Sequence, residues 1–157
     1  MPKSSDRPTV LGVPLDRKDL MTVSRQAVLG TGVAAALLTA VALAAANFIG
    51  DPGDNGGGPE YAVTLAVSLL VALGLFGWAI PRIDRPARIG LVVGVIAVLS
   101  LAAYWTGLPY VLGPAAIVLG LLGRARPTTR MPATIAIALG ALATAGGIAA
   151  VVLDQTL

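Results

Sequence analysis

The densest group of metal-ligating side chains in this sequence lies in one loop, GDPGDNGGGPEY at residues 50–61, which gathers Asp51, Asp54, Asn55 and Glu60. Oxygen ligands of this kind suit calcium, but a calcium loop sets them at alternate positions, Asp-x-Asp-x-Asp-Gly. Asp51 and Asp54 are three residues apart, so the spacing predicts a solvated acidic turn. The chain has no cysteine and no histidine. Disulfides, thiolate nucleophiles, Cys/His metal cages, imidazole bases and histidine haem ligands are therefore excluded. Acid-base catalysis needs a titratable group held in a pocket, and every carboxylate falls in a predicted loop or terminus. The expectation is a protein that is not an enzyme and carries no metal and no cofactor.

Neutral polar residues are what remains inside the apolar stretches: Thr31, Thr39, Asn47, Thr64, Ser68, Ser100, Thr134 and Thr144. A hydroxyl on a helix can satisfy itself on the carbonyl one turn back, which is the expected state of most of these. Asn47, Ser68 and Ser100 are the candidates for contacts between helices, Asn47 foremost because its amide costs most to leave unpaired. No ionisable residue lies at bilayer depth, which argues against a proton-coupled pump.

The elements that position these residues follow from composition. Of 157 residues, 56% are apolar and only 12% charged. A soluble domain has about 25% charged residues, so this chain lacks the charge to coat a globule in water and reads as a membrane protein. A crossing needs about 20 apolar residues. Residues 27–49, 62–80 and 133–153 each meet this, and the uncharged run 89–123 is long enough for two helices. Thr-Gly-Leu-Pro-Tyr at 106–110 divides that run, because Pro109 drives Leu108 out of helical geometry and Gly107 is a turn residue. Two helices result, 87–105 and 108–123, the second short enough that a re-entrant segment is the alternative.

Charge placement tests the count independently, since basic residues of short loops stay cytoplasmic. The eleven basic residues fall in three places: Lys3, Arg7, Arg17, Lys18 and Arg25; Arg82, Arg85 and Arg88; Arg124, Arg126 and Arg130. Five crossings with the N-terminus inside put all of them on the cytoplasmic face and the C-terminus outside. The expected fold is an all-α integral membrane bundle of five transmembrane helices. Residues 1–26 form a basic cytoplasmic segment, disordered up to about Pro14, in which Asp16 caps a short helix leading into the first span. Residues 27–157 form the transmembrane domain. Tyr61, Tyr104, Trp105 and Tyr110 are expected at the outer interface and Trp78 near the inner one, as amphipathic rings prefer.

Shifting the sequence by 46 residues aligns 73–105 with 119–151 without a gap and with 12 identities in 33 positions. Chance in so biased a chain gives roughly one match in ten. The matches include Pro81 with Pro127 and Pro86 with Pro132, and they predict a duplicated helical hairpin, helices two and three repeated as four and five. Small residues at four-residue spacing supply candidate packing ridges: Gly32, Ala36, Ala40 and Ala44 on the first helix, Gly90 and Gly94 on the third, Gly120 on the fourth and Gly140 on the fifth.

Nine of the eleven basic residues are arginine, and alanine, glycine and proline are abundant, which points to a high-GC bacterial genome. The stretch ARIGLVVGVIAVLSLAAYWTGLPYVLGPAAIVLGLLGR, 87–124, resembles the paired-helix segment of small polytopic membrane proteins of such bacteria. That resemblance implies a multi-pass protein of the bacterial cell (plasma) membrane and carries over no functional residue. The expected partners are the lipid bilayer and other membrane proteins or further copies of the chain, with no nucleic acid. The expected function is that of an accessory or scaffold partner of other membrane proteins; the alternative is an oligomeric channel or carrier for a small neutral or apolar solute.

Overall fold

The computed structural model describes residues 9–10, 13–14, 17–48, 57–125 and 127–154. Apart from one two-residue antiparallel pair, β1 (Thr9–Val10) with β2 (Val13–Pro14), the described chain is helical. Five α-helices follow: α1 (Arg17–Phe48), α2 (Gly57–Ala72), α3 (Pro86–Leu99), α4 (Leu108–Gly123) and α5 (Arg130–Asp154). A π-helical stretch, Leu73–Ala79, and a short 3-10 turn, Ile80–Arg82, extend α2; a 3-10 segment, Ser100–Thr106, extends α3. Four stretches are long and apolar enough to cross a membrane, Gln26–Ala45, Tyr61–Arg82, Pro86–Thr106 and Pro127–Asp154, and Leu108–Gly123 is a shorter apolar helix. The cap expected from Asp16 lies outside the described residues, but α1 runs unbroken from Arg17 through the first apolar span.

The short helix is the centre of the bundle. Pro109, Tyr110, Val111, Ala115, Ala116 and Leu119 of α4 are all buried and lie on several sides of its axis, while Leu121 near its end is exposed. A helix that is apolar all round belongs in an interior, and α4 is packed against α3, α5 and α1. Its direction is fixed at both ends. Gly107, just before it, lies against Thr39 and Leu43 of α1, while Gly123 at its end meets the backbone of Ala87 in the first turn of α3. The helix thus returns from the Gly107 turn to the end of the bundle that carries the arginine turns, hereafter the arginine end.

Glycine and alanine set how closely these helices approach. A Cβ on Gly120 would stand 2.7 Å from the carbonyl oxygen of Ala133, one on Gly140 would stand 2.5 Å from that of Gly113, and one on Gly113 would collide with Thr144. Contacts of backbone on backbone are how helices associate where water supplies no driving force. The buried face of α3 is Ala87, Gly90, Gly94 and Ala97; that of α5 includes Ala133, Ala136, Gly140 and Ala143. The second set is the first displaced by 46 residues.

Two expectations need correction. Helices α4 and α5 pack along each other as a hairpin, but α2 packs on α1 and does not run along α3, so the second-to-third pair is not a packed hairpin. The central α4 takes the place beside α3 that α2 would have occupied. On α1, the buried residues among those whose side chains are described are Val28, Gly32, Ala35, Thr39, Ala42 and Leu43, whereas Ala36, Ala40 and Ala44 are only half-buried. A strict four-residue ridge drifts by about 40° per step on a helix of 3.6 residues per turn. Beyond Gly32 it therefore leaves the contact face, which follows alternating steps of four and three. The drift is avoided on α2, where Ser68, Ala72, Phe76 and Ile80 are all buried at four-residue spacing. There the wider π turn, closed by bonds to the fifth residue, takes up more residues per turn and carries Phe76 against Gly32.

Candidate functional site

Two places in the fold could carry chemistry, a broken turn and a cavity. The first is the turn between α3 and α4. Ser100–Thr106 tightens to 3-10 geometry and breaks at Ala103 (φ −132°, ψ 49°), after which Gly107 takes a left-handed φ of 77°. Gly107 is buried against α1 and α2, whereas the 3-10 segment before it is mostly half-buried and Trp105 is exposed. Ser68, whose hydroxyl donates to the Thr106 carbonyl at 3.1 Å, lies eleven residues into α2, about 16 Å from its first residue.

An interrupted backbone at such depth must have its polar groups met by protein, and they are met locally. Thr106 Oγ1 donates to Ala103 O at 2.7 Å and accepts from the Leu108 N–H at 3.4 Å. The Gly107 N–H donates to Tyr104 O and the Tyr110 N–H to Gly107 O, both at 3.2 Å. Pro109 has no N–H to offer. In transporters, half-helix N-termini of this kind aim free N–H groups at an anionic substrate; here the first donors of α4 are already engaged. The site therefore joins helices, and it takes up the Leu108 and Tyr110 N–H groups itself.

Most of the remaining polar residues behave as the back-bonding rule expects. Thr31, Thr39, Thr134 and Thr144 donate to the carbonyls of Ala27, Ala35, Arg130 and Gly140, four residues back, and Ser100 donates to Ala97 O. Of the three interhelical candidates, Ser68 makes such a bond, Ser100 stays on its own helix, and the side chain of Asn47 lies outside the described residues. Gly32, Gly90, Gly94, Gly120 and Gly140 all sit at helix contacts. Tyr110 is not an interfacial anchor: it is fully buried, and its hydroxyl donates to Gly147 O at 2.7 Å, tying α4 to α5. Trp78 and Trp105 are exposed, and Tyr104 stacks edge-on against Trp105. Among the described residues, no buried side-chain oxygen or nitrogen lacks a partner and no three acidic residues cluster as a metal site. The acidic loop itself lies largely outside the described residues.

The second place is a cavity of about 920 Å³ at the arginine end. It opens where α2 and α3 part company. Val28 of α1, Ile80 beyond α2 and Leu122 of α4 line its apolar part; Arg85, Arg88 and Thr129 line its polar part, with Asp84 on the same rim. Arg85 is the residue before α3 and Arg88 lies in that helix's first turn, which contains no acid and has no side-chain cap. A helix N-terminus carries a positive partial charge and favours acidic neighbours, so two arginines there concentrate positive potential. Neither side chain forms an ion pair or hydrogen bond with a described residue. Arg82, by contrast, is held away, its guanidinium 5.1 Å from the Trp78 ring and donating to Trp78 O.

Sequence reading missed this cavity, because it depends on the divergence of α2 and α3, and it missed Gly113, Gly123 and Gly147 as packing residues. Their signal was present as alternating steps of three and four along α4 and α5. Compared with known proteins, the chain matches no family model, no curated protein and no solved structure.

Proposed function

We propose that the chain is a non-enzymatic multi-pass protein of the bacterial plasma membrane and acts as an accessory or scaffold partner of other membrane proteins. The observation that carries this reading is the position of α4, which fills the bundle axis with buried side chains. A single chain packed this way has no path along its axis for a solute. What it offers to other molecules is its outer surface, where Val33, Leu37 and Val41 of α1 and Val92, Ile96 and Leu99 of α3 are exposed. Exposed apolar surface of this extent needs lipid or protein against it.

The reading includes five crossings, with the arginine end in the cytoplasm and the N-terminus inside. Its support is that α4 runs from the Gly107 turn to the end where Gly123 meets Ala87, which groups both arginine turns together. With about 24 Å of length, α4 is shorter than the hydrocarbon core of about 30 Å. An interior helix is spared that requirement, because its ends meet neighbouring helices instead of lipid. The reading also includes a duplication, supported by the 46-residue correspondence between the buried faces of α3 and α5. After the duplication, the first helix of each copy took a different place, α2 at the periphery and α4 at the centre.

The accessory role is tested by mild detergent extraction at native expression. The chain is expected to elute with a membrane partner at fixed stoichiometry across independent preparations. Recovery only as free monomer would contradict the role.

A further inference from the structure

Orientation in a membrane requires that arginines lie on one side; it does not require that two of them line a cavity. We propose that the cavity at the arginine end binds the phosphate of an anionic phospholipid, held by Arg85 and Arg88. This rests on the reading above that the arginine end lies at a membrane surface.

Three observations converge on the ligand class. Arg85 and Arg88 have no ion-pair partner among the described residues, and a phosphodiester accepts the planar guanidinium fork in bidentate fashion. They stand at the start of a helix with no acid in its first turn, and with Asp84 the one carboxylate on the rim among the described residues the two guanidinium groups and the helix N-terminus leave an excess of positive charge for an anion to meet. The other wall, Val28, Ile80 and Leu122, is apolar. That wall decides between a lipid and a free phosphate ion. A free phosphate would surrender hydration to a wall that cannot hydrogen-bond, whereas a phospholipid lays its glycerol and upper acyl carbons there. About 920 Å³ is within the size range of small-ligand sites, and basic pockets between helices at a cytoplasmic surface bind acidic headgroups. The Thr129 hydroxyl, which donates to Gly123 O, fixes the α4–α5 turn that closes the far side.

The test uses the full chain in a neutral detergent, with phosphatidylglycerol or phosphatidylcholine added and bound lipid counted by native mass spectrometry. The wild-type chain is expected to retain one phosphatidylglycerol, preferred over phosphatidylcholine by about tenfold, a difference of about 1.4 kcal/mol. In R85A/R88A the preference is expected to vanish. R82A/R130A removes the same charge from outside the cavity lining and is expected to keep it. A125W, which crowds the rim without changing charge, is expected to lose it, so the result does not depend on the arginine variant folding. An excess of inorganic phosphate is expected to leave the lipid bound. Equal loss in the two arginine pairs, absence of any preference in the wild type, or displacement of the lipid by inorganic phosphate would each overturn the proposal. Because the assay needs neither a partner nor a particular orientation, a chain that holds the lipid but extracts as a free monomer would defeat only the accessory role.

Discussion

Replacing Gly140 with valine is expected to cost about 3 kcal/mol of stability, the upper end of the range for overpacking a close-fitted core. The reason is the nature of the atoms in the way. A Cβ at Gly140 would lie 2.5 Å from the carbonyl oxygen of Gly113, 2.9 Å from a side-chain carbon of Ile117 and 3.1 Å from the Ala116 Cβ. A flexible side chain could swing aside, but the Gly113 carbonyl is fixed by the backbone of the central helix, so α5 must move as a unit. That movement would also strain the bond from the Tyr110 hydroxyl to Gly147 O two turns along the same helix. Gly30 provides the control. It too is a glycine within an apolar helix, but nothing lies within 4 Å of the place its Cβ would take. Gly30→Val is expected to be nearly neutral. Reversible unfolding of the two variants in mixed micelles measures the difference, and equal effects would contradict the packing described for α4 and α5.

The second large effect is expected at Gly107. Substitution by alanine forces a Cβ into a left-handed backbone, at about 1–2 kcal/mol, and places it 2.7 Å from the Ser68 hydroxyl and 3.2 Å from Leu43 and Thr39. The Ser68 bond to the Thr106 carbonyl is then disturbed, at about 0.6 kcal/mol on the scale of hydrogen bonds between membrane helices. Gly107→Ala should therefore lose about 1.6–2.6 kcal/mol in all. A double-mutant cycle separates the two causes. Ser68→Ala alone should cost about 0.6 kcal/mol, and in its presence Gly107→Ala should cost less than it does alone, because the nearest obstacle has gone. The part that persists is the backbone strain. A cycle with strictly additive costs would place Ser68 away from the turn.

These two sites differ in how far they could be read from sequence. Gly107 was legible, because Thr-Gly-Leu-Pro-Tyr combines a turn glycine with a proline that breaks the preceding helix, and both effects are local. What escaped was the burial of Gly107 against α1 and α2, which depends on residues far away in sequence. Gly140 was named as a packing residue from small-residue spacing, but its opposite number, Gly113, was not. The four-residue template finds ridges and not contact faces, and on α1 the same template passed over Ala35 and Thr39 in favour of Ala36 and Ala40.

Hydropathy located the helices because each residue contributes to it independently of its neighbours in space. It could not say that the shortest helix is the central one, although an apolar surface on every side of Leu108–Gly123 was a signal for it. The hairpin expected of α2 and α3 failed for a related reason. Similar sequences share helix-forming and packing preferences, but which partner each helix meets depends on the whole bundle. The cavity at the arginine end is lined by Arg85 and Arg88 together with residues of α1 and α4, a juxtaposition that no single stretch of sequence displays.

Cysteine accessibility tests the central claim, five crossings with the arginine end in the cytoplasm, most directly. The native chain has no cysteine, so single replacements at Ser4, Thr128 and Gln155 can be labelled in intact cells with a reagent that does not cross the membrane. Thr128 lies in the short turn before α5 and is exposed. The five-crossing arrangement predicts labelling at Gln155 and protection at Ser4 and Thr128 until the cells are opened. Labelling of the Thr128 site from outside would contradict it.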